Sequence, residues 1–461
     1  MKMTIENLGP IEYAEINIGN FTILCGSNNT GKTYITYAFY GFLFFWERYF
    51  KLKISSEYAQ SLLKDGVVNI NINEIIKHSS SLFERASTEY TKFLPRIFAQ
   101  NAAKFEKTRI KYEITPDEIT PTDAKTINFG SDSNIFFRAK KDQNNNSIEV
   151  TLLINRDKLK LKESSVNEAM DIIIKKFIFS SVLPSYFIAS TERTGAITFI
   201  NELDIKKNIY IRELSNRSDN EINPFEIEES VSVSYPLPIR DDISFNRKIS
   251  SLVGVDGFIS KLHPEIIDFY NNMLSGAFVF GRDRRLFFKT KGKKLDIIEV
   301  SSSIRSLIDI GMYLRYASRP FDFLIIDEPE LNLHPENQRK IARLIIRLVN
   351  IGIKVFITTH SDYIIKEINN SILMKNHYSD KIPDYLKKYG YTKDDLIDYK
   401  KLKVYKTHQD LILMPGRSRK SRKRTVLPMR ISEKTGIQAE TFDAVINEMN
   451  DIQDYILYKE E

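Results

Sequence analysis

Short, unbroken apolar runs punctuate this chain, and longer stretches of helical or alternating periodicity separate them. Phe21 to Cys25 is one such run, Phe323 to Ile326 a second, and Val355 to Thr359 a third. Runs this short and this apolar predict strands, and Phe323 to Ile326 fits a central parallel strand buried on both faces. Thr33 to Trp46 is uncharged and rich in aromatics. It falls short of the ~20 residues needed to cross a bilayer, so it predicts a buried core helix. Residues 51–110 carry helical periodicity with mixed charge. From about Arg109 to Leu161 the pattern alternates, as in Ile135 to Lys140 and Ile148 to Leu153, with a polar turn at Asp142 to Ser147. Ser164 to Phe179 predicts a helix, and Ile197 to Asn208 the start of another. Ser215 to Glu229 is polar and rich in charged residues and Asn, the pattern of a mobile connection. Residues 241–275 predict helix, leading into a hairpin of Ala277 to Phe280 and Leu286 to Thr290. No long heptad array and no internal repeat are evident. The elements together predict an α/β protein.

Chemistry sits at the ends of the apolar runs. The residues after Cys25 are Gly26, Ser27, Asn28, Asn29, Thr30, Gly31, Lys32 and Thr33. They fit G-x-x-x-x-G-K-[S/T], a loop whose glycines let backbone N–H groups close around phosphates. In that pattern Lys32 reaches the β- and γ-phosphates and the Thr33 hydroxyl binds Mg²⁺. The helix that follows points its N-terminus at the same anion. The second run ends in Asp327 and Glu328. A carboxylate there lies at the sheet edge where open α/β folds bind ligands. Asp327 is the expected Mg²⁺ partner, and Glu328 the residue expected to orient the attacking water. The third run ends in His360, either a structural residue or a sensor of the γ-phosphate. Upstream, Ser301, Ser302 and Ser303 precede an apolar-periodic helix reaching about Tyr316. They read equally as a helix cap and as a phosphate contact.

Composition narrows the class. The 461 residues are 42% hydrophobic and 28% charged, as expected of a soluble globular protein with ample core. Cys25 is the only cysteine, so no internal disulfide can form. With no signal-peptide pattern at the start, a reducing cytosol is the expected location. Net charge is +7, and Arg417, Arg419, Lys420, Arg422, Lys423 and Arg424 form a dense basic run. It reads as a contact for a nucleic-acid backbone or an acidic partner, or as a solvated loop. A lesser cluster comprises Arg282, Arg284, Arg285, Lys289, Lys291, Lys293 and Lys294.

The order of phosphate loop, serine signature, Asp-Glu strand and His strand resembles the ABC-type ATPase heads of SMC, RecF and OLD-family proteins. The run from Asp327 to Gln338 is especially similar to the OLD-like group, as are Asn7 to Ile11 and Tyr186 to Gly195. The resemblance implies a P-loop NTPase of ABC-type head architecture with helical and β insertions, using ATP and Mg²⁺. Because Lys32 and Asp327 lie in opposite halves of the chain, the head would be discontinuous. It would comprise 1–50, 181–199 and 277–461, with insertions at 51–180 and 200–276. Ser301 to Ser303 would contact the γ-phosphate held by a second subunit, although Ser303 stands where a glycine is usual. Asn332 to His334 resemble a loop that crosses the dimer interface, and His360 the switch histidine.

Full-length OLD nucleases carry a Toprim domain with an Asp-x-Asp pair, and none follows His360. The pattern therefore resembles stand-alone ATPase subunits of bacterial antiphage systems. These are the Septu type, with an HNH nuclease partner, and the PARIS type, with a Toprim partner. A homodimer of heads or a higher oligomer controlling a separate nuclease is the implied assembly. The alternatives are a RecF- or SMC-like DNA-repair ATPase acting on DNA itself and a nucleotide-binding scaffold with little turnover. A membrane partner is not expected.

Overall fold

The computed structural model describes residues 1–461 apart from 54, 123–124, 132–133, 144, 154–162, 200–234, 379–381, 413–418, 439–447 and 457–461. The chain divides into two compact units, Met1–Leu8 with Tyr37–Tyr186, and Gly9–Thr36 with Phe187–Glu461.

In the first unit, Lys2–Leu8 pairs antiparallel with Arg109–Glu113. A four-stranded antiparallel sheet holds Val67–Asn71, Ser147–Leu152, Asn134–Lys141 and Lys125–Ser131, in that spatial order. The alternation between Arg109 and Leu161 thus gives strands, although Ile154 to Leu161 lies outside the described residues. Helices Ser56–Asp65, Ser79–Phe98 and Glu163–Ile174 supply the rest. The uncharged stretch after the phosphate loop is a buried helix, Lys32–Arg48, as its composition predicts. Its aromatic residues pack as rings, with Phe42 stacked on Tyr112 at 3.6 Å and Trp46 between Phe50 and Phe83. Asp171 and Lys175 form a buried ion pair at 2.7 Å. Asp171 also accepts the Leu52 N–H, and Lys175 donates to the Phe50 carbonyl, so the buried charges are satisfied on both sides.

The second unit is built on a six-stranded sheet. Its order is Ser421–Pro428, Leu402–Ile412, Phe21–Cys25, Lys354–Thr359, Phe323–Asp327 and Tyr186–Ala189. Phe21–Cys25 and Phe323–Asp327 are buried at every position. Both run parallel to Lys354–Thr359, with Cys25 opposite Thr359 and Asp327 opposite Thr358. Their carboxyl ends therefore meet at one edge. Helix Pro335–Asn350 crosses over between the two later strands and buries Ile341, Leu344, Ile345 and Leu348 in the core beneath. Leu402–Ile412 runs parallel to Phe21–Cys25, then continues beyond it as a hairpin arm paired with Ser421–Pro428.

Two readings of the sequence change here. The hairpin before the serines is a three-stranded meander, because Lys293–Asp296 pairs antiparallel with Leu286–Thr290. Its two leading lysines and lack of a full alternating run hid it. Arg422, Lys423 and Arg424 lie in a strand rather than a loop, with Lys423 bound to Glu12 at 2.6 Å. Arg417 lies outside the described residues, as do Phe199's successors to Asn208 and the whole of Ser215 to Glu229. In the 200–276 segment, Ile249, Ile259, Ile266, Tyr270 and Met273 share one core with the sheet.

Candidate functional site

The phosphate loop closes tightly over the end of its strand because of where two glycines stand. Gly26 has φ +142 and lies against the hairpin arm, where an added Cβ would meet the Thr407 hydroxyl at 2.1 Å. Gly31 has φ +99, with Ile11 and Pro10 filling the space a side chain would need. Both backbone angles suit glycine and few other residues. Thr30 fastens the loop, donating to the Ser27 carbonyl at 2.7 Å and sharing a 2.6 Å hydrogen bond with Thr407. Asn29 is left-handed, and Ser27, Asn28 and Asn29 are exposed. Lys32 is buried, its ammonium donating to the Gly26 and Ser27 carbonyls at 2.8 Å each. Burial pushes its pKa down, against the attraction of Glu328, Asp327 and Glu330.

Those carboxylates surround the lysine from the neighbouring strand ends. Asp327 is fully buried and accepts from the Thr358 hydroxyl through Oδ1. Its Oδ2 has no hydrogen-bond partner. Burial pushes its pKa up to about 6, with Glu328 and Glu192 adding to the rise and the Thr358 and Thr33 hydroxyls opposing it. Glu328 follows at φ +53, its N–H donating to Thr358 at 3.0 Å. Glu330 is buried, and its Oε1 accepts from the Thr359 hydroxyl at 2.8 Å and the His360 N–H at 2.7 Å. Burial raises its pKa. The His360 ring is 45% exposed and sets Nδ1 3.2 Å from Glu330 and 3.6 Å from Glu328. It therefore lies beside both carboxylates while remaining partly exposed.

An unpartnered, buried carboxylate oxygen beside a threonine hydroxyl is a site that a divalent cation would satisfy. Among the described residues no group of three or more His, Cys, Asp or Glu side chains is arranged to hold a metal. The fit is thus to an ion that takes two protein oxygens, Thr33 and Asp327, and completes its shell with phosphate and water, as Mg²⁺ does.

Phosphate loop, Asp327, Glu328 and His360 all converge on this edge, as the strand ends predict. The serines stand apart from them. Ser301 and Ser302 are exposed, and the Ser301 and Ser303 hydroxyls bond each other at 2.8 Å. Ser301 precedes a helix of four residues, Ser302–Arg305, without a side-chain capping bond. Asn332 is exposed and left-handed at φ +60, and His334 caps the helix beginning at Pro335. Ser306 joins these two segments, its hydroxyl lying within hydrogen-bond reach of both the Ser303 carbonyl (3.0 Å) and the Leu331 carbonyl (3.1 Å) and sharing its one proton between them. Cys25 is a packing residue, its thiol donating to the Tyr405 carbonyl at 3.2 Å and its pKa pushed up to about 11 by burial.

Sequence reasoning passed over four residues of the site. Glu330 lies two residues beyond Glu328, and its alternation past Pro329 was the available signal. Thr358 and Arg193 sit inside runs read for other reasons, and Thr407 gave no signal at all.

A family model described as "AAA ATPase domain" matches residues 1–365. The fold is accordingly the α/β fold of a P-loop NTPase. Among solved structures, the chain is similar to an Smc head bound to the C-winged helix domain of ScpA. That likeness has TM-score 0.30 and 12% identity, covering 79% of this chain and 91% of that one. It is also similar to a Pyrococcus furiosus Smc head with an extended coiled coil bound to the C-terminal domain of ScpA (TM-score 0.30, 12% identity, 98% of each chain). A third is the SMC head domain from Thermotoga maritima, with TM-score 0.25 and 12% identity over 79% of this chain and 90% of that one. No curated protein matches the chain.

Proposed function

The chain belongs to the AAA ATPase domain family, and from that premise we propose that it binds ATP with Mg²⁺ at the Lys32 edge and hydrolyses it. The observation that carries the reading is the buried Asp327 oxygen without a partner, set among Lys32, Thr33 and Glu328. Gly26 to Thr33 wrap the phosphates, and Lys32 turns from the loop carbonyls to the β- and γ-oxygens. Thr33 and Asp327 hold Mg²⁺, which offsets the charge of the phosphates. Glu328 orients the attacking water, and His360, already beside Glu328, contacts the γ-phosphate. Two heads sandwich two nucleotides, with Ser301, Ser302, Ser303 and Asn332 of one completing the site of the other. In that assembly the chain serves as the regulatory ATPase of an antiphage complex and controls a separate nuclease. The similarity of Asp327 to Gln338 to the OLD-like group supports this last step.

The test is a pair of measurements on Glu328→Gln. Mg²⁺-dependent hydrolysis should be lost with ATP binding retained. The protein purified with ATP from its native host should bring down a small nuclease. Turnover equal to the parent would remove Glu328 from its role. DNA and repair proteins without a nuclease would favour the second reading.

That second reading, direct action on nucleic acid, is favoured by the meander at 277–296. Arg282, Arg284, Arg285, Lys289, Lys291, Lys293 and Lys294 are all exposed there. Lys289 lies directly opposite Lys294, an arrangement that costs stability unless an anion meets it. Lys294 lies 3.7 Å over the ring of Phe287 on the same face. Arg419, Lys420, Arg422 and Arg424 are exposed as well, at the far end of the hairpin arm. Binding through either cluster would weaken steeply with salt.

A further inference from the structure

We infer that two positioning residues, Arg193 and Thr358, hold the backbone of Glu328, and that Arg193 ties Glu328 to the serine segment. The inference rests on the reading of Glu328 as the residue that orients water.

Glu328 occupies a left-handed conformation that a side-chain-bearing residue keeps only where its surroundings hold it. Both of its backbone groups are held. Its N–H donates to the Thr358 hydroxyl at 3.0 Å, and its carbonyl accepts from Arg193 at 2.8 Å. The Arg193 guanidinium is buried and spends its donors on backbone rather than on carboxylates. Beyond Glu328 it reaches the carbonyls of Asp327 at 2.9 Å, Ser190 at 2.6 Å and Ser306 at 2.7 Å. One side chain thus joins the ends of two strands to the residue that follows the serine helix. Asp242 and Asp309, both buried, attract the guanidinium, though burial raises the pKa of each.

The Ser306 end explains why a guanidinium is needed. Ser306 gives its carbonyl to Arg193 and shares its one hydroxyl proton between the Ser303 and Leu331 carbonyls. Ser303 belongs to the serine segment expected to meet a second subunit, and Leu331 immediately precedes the other, Asn332 to His334. A movement of either segment is passed through Ser306 and Arg193 to Glu328. Displacements of about 1 Å at a reacting group change rates by up to about a hundredfold, so small movements suffice. A planar fork spans four carbonyls in different directions, whereas a lysine ammonium presents its donors from one point.

The experiment compares full-length Arg193→Lys, Thr358→Val, Thr358→Ser and Glu328→Gln with the parent, at saturating Mg²⁺, for KM and kcat of ATP hydrolysis. Arg193→Lys and Thr358→Val should each lower kcat by about tenfold or more while KM stays near the parent value. Thr358→Ser, which keeps the hydroxyl, should restore most of the rate. A merely structural role would move stability and leave kcat of the folded fraction intact. Parent-like kcat in both Arg193→Lys and Thr358→Val, with Glu328→Gln inactive, would overturn the inference and spare the Glu328 reading. Parent-like kcat in Glu328→Gln would overturn both. Should Arg193→Lys fail to melt cooperatively, the Thr358 pair decides, a slow Val variant supporting the inference and a fast one sinking it.

Discussion

The carboxyl edge of the sheet and the serine segment are expected to serve the same phosphates, yet they are built in opposite ways. At the edge, Lys32, Asp327 and Glu330 are buried, Lys32 held by carbonyls of its own loop and the two carboxylates by hydroxyls of the neighbouring strand. At the serine segment, Ser301 and Ser302 are exposed, and the Ser301 hydroxyl turns to Ser303 in the same short helix. The edge is organised by the fold of one chain. The serine segment is anchored at its far end, through Ser306, while its leading serines face outward, which suits a surface completed by a partner. Fixed dipoles and charges in a buried site act without reorganising, so the edge is where large catalytic effects belong. The serine segment should modulate.

The comparison can be broken first at the phosphate loop. Lys32→Ala should abolish measurable ATP binding in an equilibrium titration, because the buried ammonium is the loop's cation, within the attraction of Glu328, Asp327 and Glu330. Retained affinity would overturn the phosphate-loop reading. Glu328→Gln should keep that affinity and slow steady-state hydrolysis on the order of 10²–10³-fold. Gly26→Ala comes next. Its Cβ would meet Thr407 at 2.1 Å on a backbone at φ +142, so strain falls on both the loop and the hairpin arm. A stability loss of about 1–3 kcal/mol is expected, together with weakened ATP binding. Thermal unfolding and the same titration would measure both. An unchanged melting temperature would mean that the loop and the arm are not in contact in solution.

The serine segment supplies the smaller, sharper test. Ser301→Ala should leave ATP binding by the isolated chain untouched and lower turnover by less than Glu328→Gln does. Ser303→Gly, which restores the glycine usual at that position in ABC-type signatures, should raise turnover. Both effects should grow with protein concentration if a second copy supplies the contact. Rates per chain that do not vary with concentration would place hydrolysis within one subunit and remove the partner role from the serines.

What the sequence made legible follows the same division. Phe21–Cys25, Phe323–Asp327 and the chain from Val355 to His360 were readable because strands buried on both faces read as short, mostly apolar runs. The residues at their ends therefore come together at one sheet edge. Arg193 was not readable, because its partners are carbonyls of residues far apart in the chain, and backbone acceptors leave no trace in side-chain identity. Thr407 was hidden for a related reason, since its contact is with the missing side chain of Gly26. Lys293–Asp296 was missed because a short charged strand carries neither alternation nor burial. Residues between 237 and 274, such as Ile249, Ile266 and Tyr270, contribute to the core under the sheet.

The smallest expected effect concerns proton linkage, and it separates the two regions because serine hydroxyls do not titrate in the accessible range. Burial pushes the Asp327 carboxyl up to about 6, and those of Asp309 and Asp322 up to about 7. A carboxyl raised in the folded state holds its proton after the unfolded chain has released one. Its stabilising contribution is present below the unfolded value of about 4 and is lost as pH rises through about 6 to 7. The nucleotide-free protein should therefore have a falling component of stability between pH 4 and 7. Asp327→Asn cannot titrate and should lose its share of that slope. Melting curves of parent and variant at several pH values would measure the difference, and a stability gap that does not widen in the variant's favour as pH rises would refute the assignment. ATP binding with Mg²⁺ should run the other way, because the ionised Asp327 is the form that holds the cation. Affinity in Mg²⁺ should fall below about pH 6 in the parent. Replacing the serines with alanine should leave that fall in place, since the edge alone carries it.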